Sequence, residues 1–428
     1  MAAPRRRAAP IRSRIESDDL GRLEVPADVL YGIRTQRAVA NLSFSGHQLG
    51  QYPAFVRALA IVKKAAARAN RDAREIDQRR LVAIERACDE IIRGEHLDHF
   101  PVDLLAGGGS IAVNMNVNEV IANLANERLG GQRGKYEHVD PKAHVNASQS
   151  TADVCHTAGR IAILGQWADL RRALLDCAGV FAAKANELRP VMTISRTCLQ
   201  DASPVSLGEL FGGHAAALMR RISELDQGMQ RLRKINLGGT VIGSGEGASA
   251  VYRRSILKHL RKIAVEKLIP RENLYDAAQN IDDLGAIAAL LGLLAEVFIK
   301  IAEDLRLLSS GPEGGFGEIV LPAVQEGSSF FPGKINPVIP ETMLQCCFQI
   351  LGCERVVRLA VERGELHLNV FEGAAVANIL DAIEMMRACT TIFAERCVKG
   401  IAANEERCCE LVATARFRAG KQKSIERG

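Results

Sequence analysis

The segment Gly327-Ser328-Ser329-Phe330-Phe331-Pro332-Gly333-Lys334-Ile335-Asn336-Pro337 places two hydroxyls, an ammonium and an amide within nine residues. Two prolines and two glycines break any regular helix or strand there, so the sequence predicts a shaped loop between helices. Such a loop can carry its hydroxyls onto a substrate and off it again. Three further polar clusters stand apart from it. His144-Val145-Asn146-Ala147-Ser148-Gln149-Ser150-Thr151 precedes a long helical pattern that starts near Asp153. Hydroxyls at a helix start cap its free N–H groups, and the same N–H groups and dipole make a natural carboxylate site. Both readings stay open at this point. Ser195-Arg196-Thr197-Cys198-Leu199-Gln200-Asp201-Ala202-Ser203-Pro204 separates helical stretches at about 156–189 and 205–233. The third cluster is a glycine turn, Gly107-Gly108-Gly109, running into a helix that carries Asn114, Asn116 and Asn118. Asn competes for backbone hydrogen bonds inside helices, so three at alternate positions imply a polar site, an interface or a capping and turn network.

Long helices must hold these clusters. Phe55, Leu59, Val62, Ala66 and Ala69, then Leu81, Ile84, Ala87 and Ile91, follow a helical period and fit two helices between Pro53 and Arg93. Leu284, Ile287, Leu290, Leu291, Leu294, Val297, Phe298, Ile301 and Leu305 keep that period from Asp282 to Ser309. A run of that length is roughly 40 Å of helix, well beyond the usual three turns. Residues 341–362 and 374–395 are predicted helical too. Helices this long bury apolar stripes on several sides, which an oligomeric bundle satisfies economically. Residues 15–50 mix Pro, Gly and acids and predict a loop-rich start with short helical or strand turns. Gly243-x-Gly245 lacks the strand–turn–helix pattern of a nucleotide site and is expected to be a helix-joining loop.

Aromatic residues make up only 4% of the 428 residues while Ala and Leu abound, which favours an all-α fold. The net charge of +5 is concentrated in Arg5, Arg6, Arg7, Arg12 and Arg14, and the remainder is near neutral. No basic face for nucleic acid or a membrane is therefore expected. Eleven cysteines lack C-x-x-C pairs or zinc spacing and read as reduced, mostly buried thiols. With no signal-peptide pattern and an apolar run at 284–299 that contains Glu296, a cytoplasmic protein is expected.

From about Arg14 to Leu411 the chain resembles the aspartase/fumarase superfamily, and is most similar to its aspartate ammonia-lyases. The signature G-S-S-x-M-P-x-K-x-N-P lies at 327–337 with Phe331 in the Met position. Asp304-Leu305-Arg306-Leu307-Leu308-Ser309-Ser310-Gly311-Pro312 and the segment from Asn236 to Thr240 carry the same likeness. The resemblance implies a three-part all-α chain whose central long-helix bundle forms a tetrameric core. Its parts would be a disordered basic tail over 1–14, a mainly helical domain over 15–145, the bundle over 146–400 and a remnant of the C-terminal domain over 401–428. That last domain would be truncated, because the text after Ala413 turns basic and stops.

The implied chemistry is anti-elimination on a 2-substituted succinate to give fumarate. Ser328 resembles the base that takes the Cβ proton, leaving an enediolate on the adjacent carboxylate. A serine is a poor base in water, so the loop must supply donors that stabilise its alkoxide. Lys334 and Asn336 resemble ligands of the α-carboxylate. Ser150, Thr151 and Ser329 resemble donors to the reacting β-carboxylate, and Thr197 matches a residue near the α-carboxylate and amino group. No cofactor and no metal are implied. The partners implied are a small dicarboxylate and three further copies of the chain, each active site drawing its clusters from three subunits. Three positions depart from the aspartase pattern: Ile111 replaces a threonine, Ala152 an asparagine and Cys198 a histidine. Two of them, Ala152 and Cys198, fall where a substrate amino group would sit. Three readings follow: aspartate ammonia-lyase with a rearranged pocket, the same mechanism on another succinate derivative, or a non-catalytic homologue with a structural role.

Overall fold

A computed structural model describes residues 12–415. Most of the basic N-terminal tail, and the basic segment from residue 416, lie outside the described residues. Ser13 and Arg14, expected in that tail, instead open a strand. The chain divides into two compact units, each discontinuous in sequence. Of the described residues, the first comprises 12–168 with 227–289 and 353–382; the second comprises 169–226, 290–352 and 383–415.

In chain order the first elements are the antiparallel hairpin β1 (Ser13–Asp18) and β2 (Gly21–Pro26), then α1 (Ile33–Leu42), α2 (Pro53–Asp72), α3 (Gln78–Ile92) and α4 (Ile111–Arg128). Pro53 opens α2, where its missing N–H costs nothing. The predicted stripe Phe55, Leu59, Val62, Ala66 and Ala69 is buried, as is Leu81, Ile84, Ala87 and Ile91 of α3. Asp77 caps α3 by accepting from Arg80 N at 2.8 Å, worth about 1 kcal/mol. Glu119 of α4 is buried under the start of α1. Its carboxylate accepts from the N–H groups of Gly32, Arg34 and Thr35 at 2.9–3.1 Å and from the Thr35 hydroxyl at 2.7 Å. The free N–H groups of α1 thus find an anion where the helix dipole favours one.

Next come α5 (Thr151–Glu187), the antiparallel hairpin β3 (Met192–Thr197) and β4 (Gln200–Ser206), and α6 (Leu207–Met229). β5 (Lys234–Ile235) pairs in parallel with β6 (Ile269–Pro270), on either side of α7 (Ala250–Ile263), which packs on α2. Then follow α8 (Leu274–Gln279), α9 (Asp282–Leu308), β7 (Ile319–Val320), α10 (Val338–Glu362), α11 (Glu372–Arg396), β8 (Ala402–Ala403) and α12 (Glu405–Thr414). Among the described residues, four ribbons of two strands each accompany a mainly helical chain, as composition predicts. The hairpin β3–β4 stands where a polar interruption was expected. Its two-residue turn, Cys198-Leu199, holds both residues at positive φ (51° and 58°), the twist that suits a tight hairpin. Neither is Gly, Asn or Asp, so the sequence carries no turn signal there.

The second unit is centred on Phe181 of α5, Phe211 of α6, Phe298 of α9 and Phe393 of α11, all buried. Phe181 lies with its ring centroid 6.1 Å from Phe211 and 6.2 Å from Phe393, which meets Phe298 edge-on at 6.1 Å. α9 is long and apolar enough to cross a membrane by length and composition, and half of its most apolar stretch is buried within the chain. β7 pairs with β8, and α12, capped by Asn404, packs against β3. All eleven cysteines are free thiols.

Candidate active site

In the first unit two polar clusters distant in sequence meet at the starts of α4 and α5. Gly108, Gly109 and Ser110 take positive φ in succession and turn the chain into α4, leaving Ile111 as its exposed first residue. Asn114 Nδ2, one turn on, donates to Thr151 Oγ1 at 3.0 Å and to Asn146 Oδ1 at 3.1 Å. The same Asn146 oxygen accepts from Asn118 at 3.2 Å and from Lys63 Nζ at 2.8 Å. Asn116, Asn123 and Asn126 instead hold loop carbonyls, those of His99, Leu30 and Val139. Of the three asparagines singled out in the sequence, Asn114 and Asn118 therefore face the polar site, while Asn116, like Asn123 and Asn126 further along, ties down a turn.

Ser150 and Asp153 cap α5 reciprocally: Ser150 Oγ accepts from Ala152 N at 3.2 Å, and Asp153 Oδ1 accepts from Ser150 N at 3.0 Å. Asp153 Oδ2 also takes the N–H groups of Gly238 and Thr240 at 3.0 and 3.1 Å, fixing the glycine-rich loop beneath the helix start. Burial pushes the Asp153 carboxyl up to about 6 against those donors, and pushes the neighbouring Lys63 ammonium down to about 7. A cavity opens beside this cap. Ser110, Thr151, Ala152, His156, Asn236 and Glu372 supply its polar and small lining.

Behind the cavity lies a buried ion cluster that sequence reasoning missed. Arg160 donates from Nε and Nη2 to Asp283 at 2.8 and 2.7 Å and from Nη1 to the carbonyl of His156 at 3.0 Å. Its Nη1 also donates to Glu372, which faces His156 Nδ1 at 3.1 Å. Burial would raise the Glu372 carboxyl, but the hydrogen bond from His156 Nδ1 and the Arg160 guanidinium outweigh it and hold the group at about 2. Burial and the Arg160 guanidinium lower the His156 imidazole below its ordinary value, against the pull of Glu372. A signal for this cluster existed: His156 and Arg160 follow Ala152 at intervals of four on an otherwise apolar helix face.

The signature loop and the hairpin turn belong to the second unit. Ser328 Oγ accepts from the backbone N–H groups of Phe330 at 3.1 Å and Phe331 at 2.9 Å. Two N–H dipoles converging on one oxygen is the arrangement that stabilises negative charge there. Asn336 Nδ2 donates to the carbonyl of Gly327, closing the loop on itself. The closure is tight enough that a Cβ on Gly327 would lie 1.8 Å from the Lys334 carbonyl oxygen, so only glycine fits. Ser329 and Lys334 are exposed, and the rings of Phe330 and Phe331 meet edge-on at 4.9 Å on the outer side.

Thr197 and Cys198 sit exposed at the tip of β3–β4. Arg196, next to that tip, donates to the fully buried Glu318 at 2.6 Å and lies 4.3 Å over the Phe316 ring. Among the described residues, Glu90, Glu95 and His96 group as metal ligands would, and Glu90 there already pairs with Arg128.

Residues 21–352 match a family model described as Lyase. The chain belongs to this lyase family, of the aspartase/fumarase type. Among curated relatives, the aspartate ammonia-lyase of Bacillus subtilis is 43% identical over 394 residues, covering 92% of this chain and 82% of that protein. That of Escherichia coli is 39% identical, with 92% and 83% covered. Among solved structures, a fumarate lyase:delta crystallin from Brucella melitensis superposes with a TM-score of 0.92 at 45% identity, covering 94% of this chain and 87% of that one. A class II fumarase from Schistosoma mansoni gives 0.89 at 30% identity, with 94% and 87% covered.

Proposed function

We propose that this lyase eliminates ammonia from aspartate to give fumarate, with Ser328 as the base. The observation that carries the reading is the pair of N–H groups donated to Ser328 Oγ. They lower the cost of an alkoxide at that atom, and its basicity is what Cβ proton abstraction requires. The electron pair of the broken C–H bond passes into the β-carboxylate as an enediolate, held by Ser150, Thr151 and Ser329. It returns to form the Cα–Cβ double bond as the Cα–N bond breaks and ammonia leaves. Lys334 and Asn336 hold the α-carboxylate, with Thr197 beside it. The names carried by the relatives support aspartate as substrate.

The assembly proposed is a homotetramer in the cytoplasm, with each site built from three subunits and the long helices of the 146–400 segment at its centre. Phe348, Val356 and Leu359, apolar residues exposed on α10, suit such burial. Ile111, Ala152 and Cys198 favour a second reading in which the same elimination acts on a succinate with another leaving group. A non-catalytic structural role is the third.

The test is absorbance at the fumarate band with purified protein and a panel of 2-substituted succinates, run in both directions. Aspartate turnover that Ser328→Ala abolishes is the expected result. A fully active Ser328→Ala places the base elsewhere, turnover of another member alone supports the second reading, and no turnover by a folded protein supports the third.

A further inference from the structure

The cavity at the start of α5 is lined by hydrogen-bond acceptors that lack donors. His156 lies one turn beyond Ala152 on the same helix face and is 1% exposed. Its Nδ1 faces the ionised Glu372 carboxylate, so that nitrogen carries the proton and Nε2 presents a lone pair. Nε2 is buried and has no partner among the described residues. Asn236 lines the same cavity, and its Oδ1 is likewise buried without a partner. Buried acceptors left open are costly, and two in one cavity ask for a group rich in donors.

The charges around the cavity permit a cation. Arg160 is taken up by Asp283 and Glu372, and Arg271, 3.7 Å from Asp283, lies nearer to Asp276 and Asp282 at 3.4 and 3.5 Å, so with a neutral imidazole two guanidiniums face four carboxylates. Ala152 lines the cavity with no more than a methyl group.

We propose that this cavity is an ammonium subsite, in which His156 Nε2 and Asn236 Oδ1 accept hydrogen bonds from the protonated amino group of the substrate. His156 is then a specificity-determining residue, doing from α5 what neither Ala152 nor Cys198 can do. The inference rests on the aspartate elimination proposed above and assigns the residues that hold its amino group. A buried water would satisfy the same acceptors, and the measurement separates the two.

The experiment is calorimetric binding of aspartate and of succinate, which has both carboxylates and no amino group, to the full-length protein carrying Ser328→Ala. Adding His156→Phe is expected to weaken aspartate by about 10- to 100-fold and to leave succinate within about twofold. His156→Asn gives a second variant. Its shorter amide still donates to Glu372 but withdraws the acceptor from the cavity, and the same selective loss is expected. Equal weakening of both ligands, or no change in either, overturns the inference while leaving the dicarboxylate site intact. If neither ligand binds and the unsubstituted enzyme makes no fumarate, the functional reading falls and the inference with it.

Discussion

Glu372→Gln removes one carboxylate from the buried cluster while keeping its shape. The Glu372 side chain is 15% exposed and held at about 2, against an ordinary value of 4.5, because the hydrogen bond from His156 Nδ1 and the Arg160 guanidinium outweigh the cost of its burial. A depressed acid stabilises the folded chain above its unfolded pKa and loses that contribution as the pH falls through the folded one. A shift from 4.5 to about 2 corresponds to roughly 3 kcal/mol. That amount is present above about pH 5, falls to roughly 1 kcal/mol by pH 3 and is gone below pH 2. Denaturant titrations of the wild type and Glu372→Gln, at one fixed protomer concentration and at pH 7, 5 and 3, read the difference directly. The variant should be the less stable by about 3 kcal/mol at pH 7, with the gap at least halved at pH 3. A gap below 1 kcal/mol at pH 7, or one that does not change with pH, would show that Glu372 is not ionised against His156 and Arg160.

Gly327→Ala should reduce kcat by about 100-fold or more, since the loop must move by over an ångström to clear the Lys334 carbonyl; the melting temperature should stay within about 2 °C because the segment is exposed, and unchanged kinetics would contradict the tight closure. Cys198→His restores an imidazole at a hairpin position whose positive φ histidine tolerates. With His156 already serving the amino group, aspartate kcat/KM should stay within about threefold. A rise of tenfold or more would assign the amino group to the hairpin turn instead.

The sequence by itself determined the helices and the loop. Apolar spacing located the buried faces of α2, α3 and α9 to within a residue or two, because a helix that buries one stripe must repeat it every 3.6 residues. Prolines and glycines marked the 327–337 loop, and its residue types matched a known pattern. Two features escaped. The turn at Cys198-Leu199 uses positive φ without the residues that advertise it, so its hairpin had no local signature. In the buried cluster only the pair His156 and Arg160 shows a helical spacing; Asp283 and Glu372 lie more than a hundred positions from that pair, and no spacing rule reaches that far. Tertiary structure alone decided that Thr151 would meet Asn114 and that His156 would present a bare nitrogen to a cavity, whereas the N–H groups on Ser328 Oγ come from two and three residues along its own loop. Periodicity tells which face is buried, whereas the direction of a donor and the partner it finds depend on how distant elements pack, and the chemistry lies in those directions.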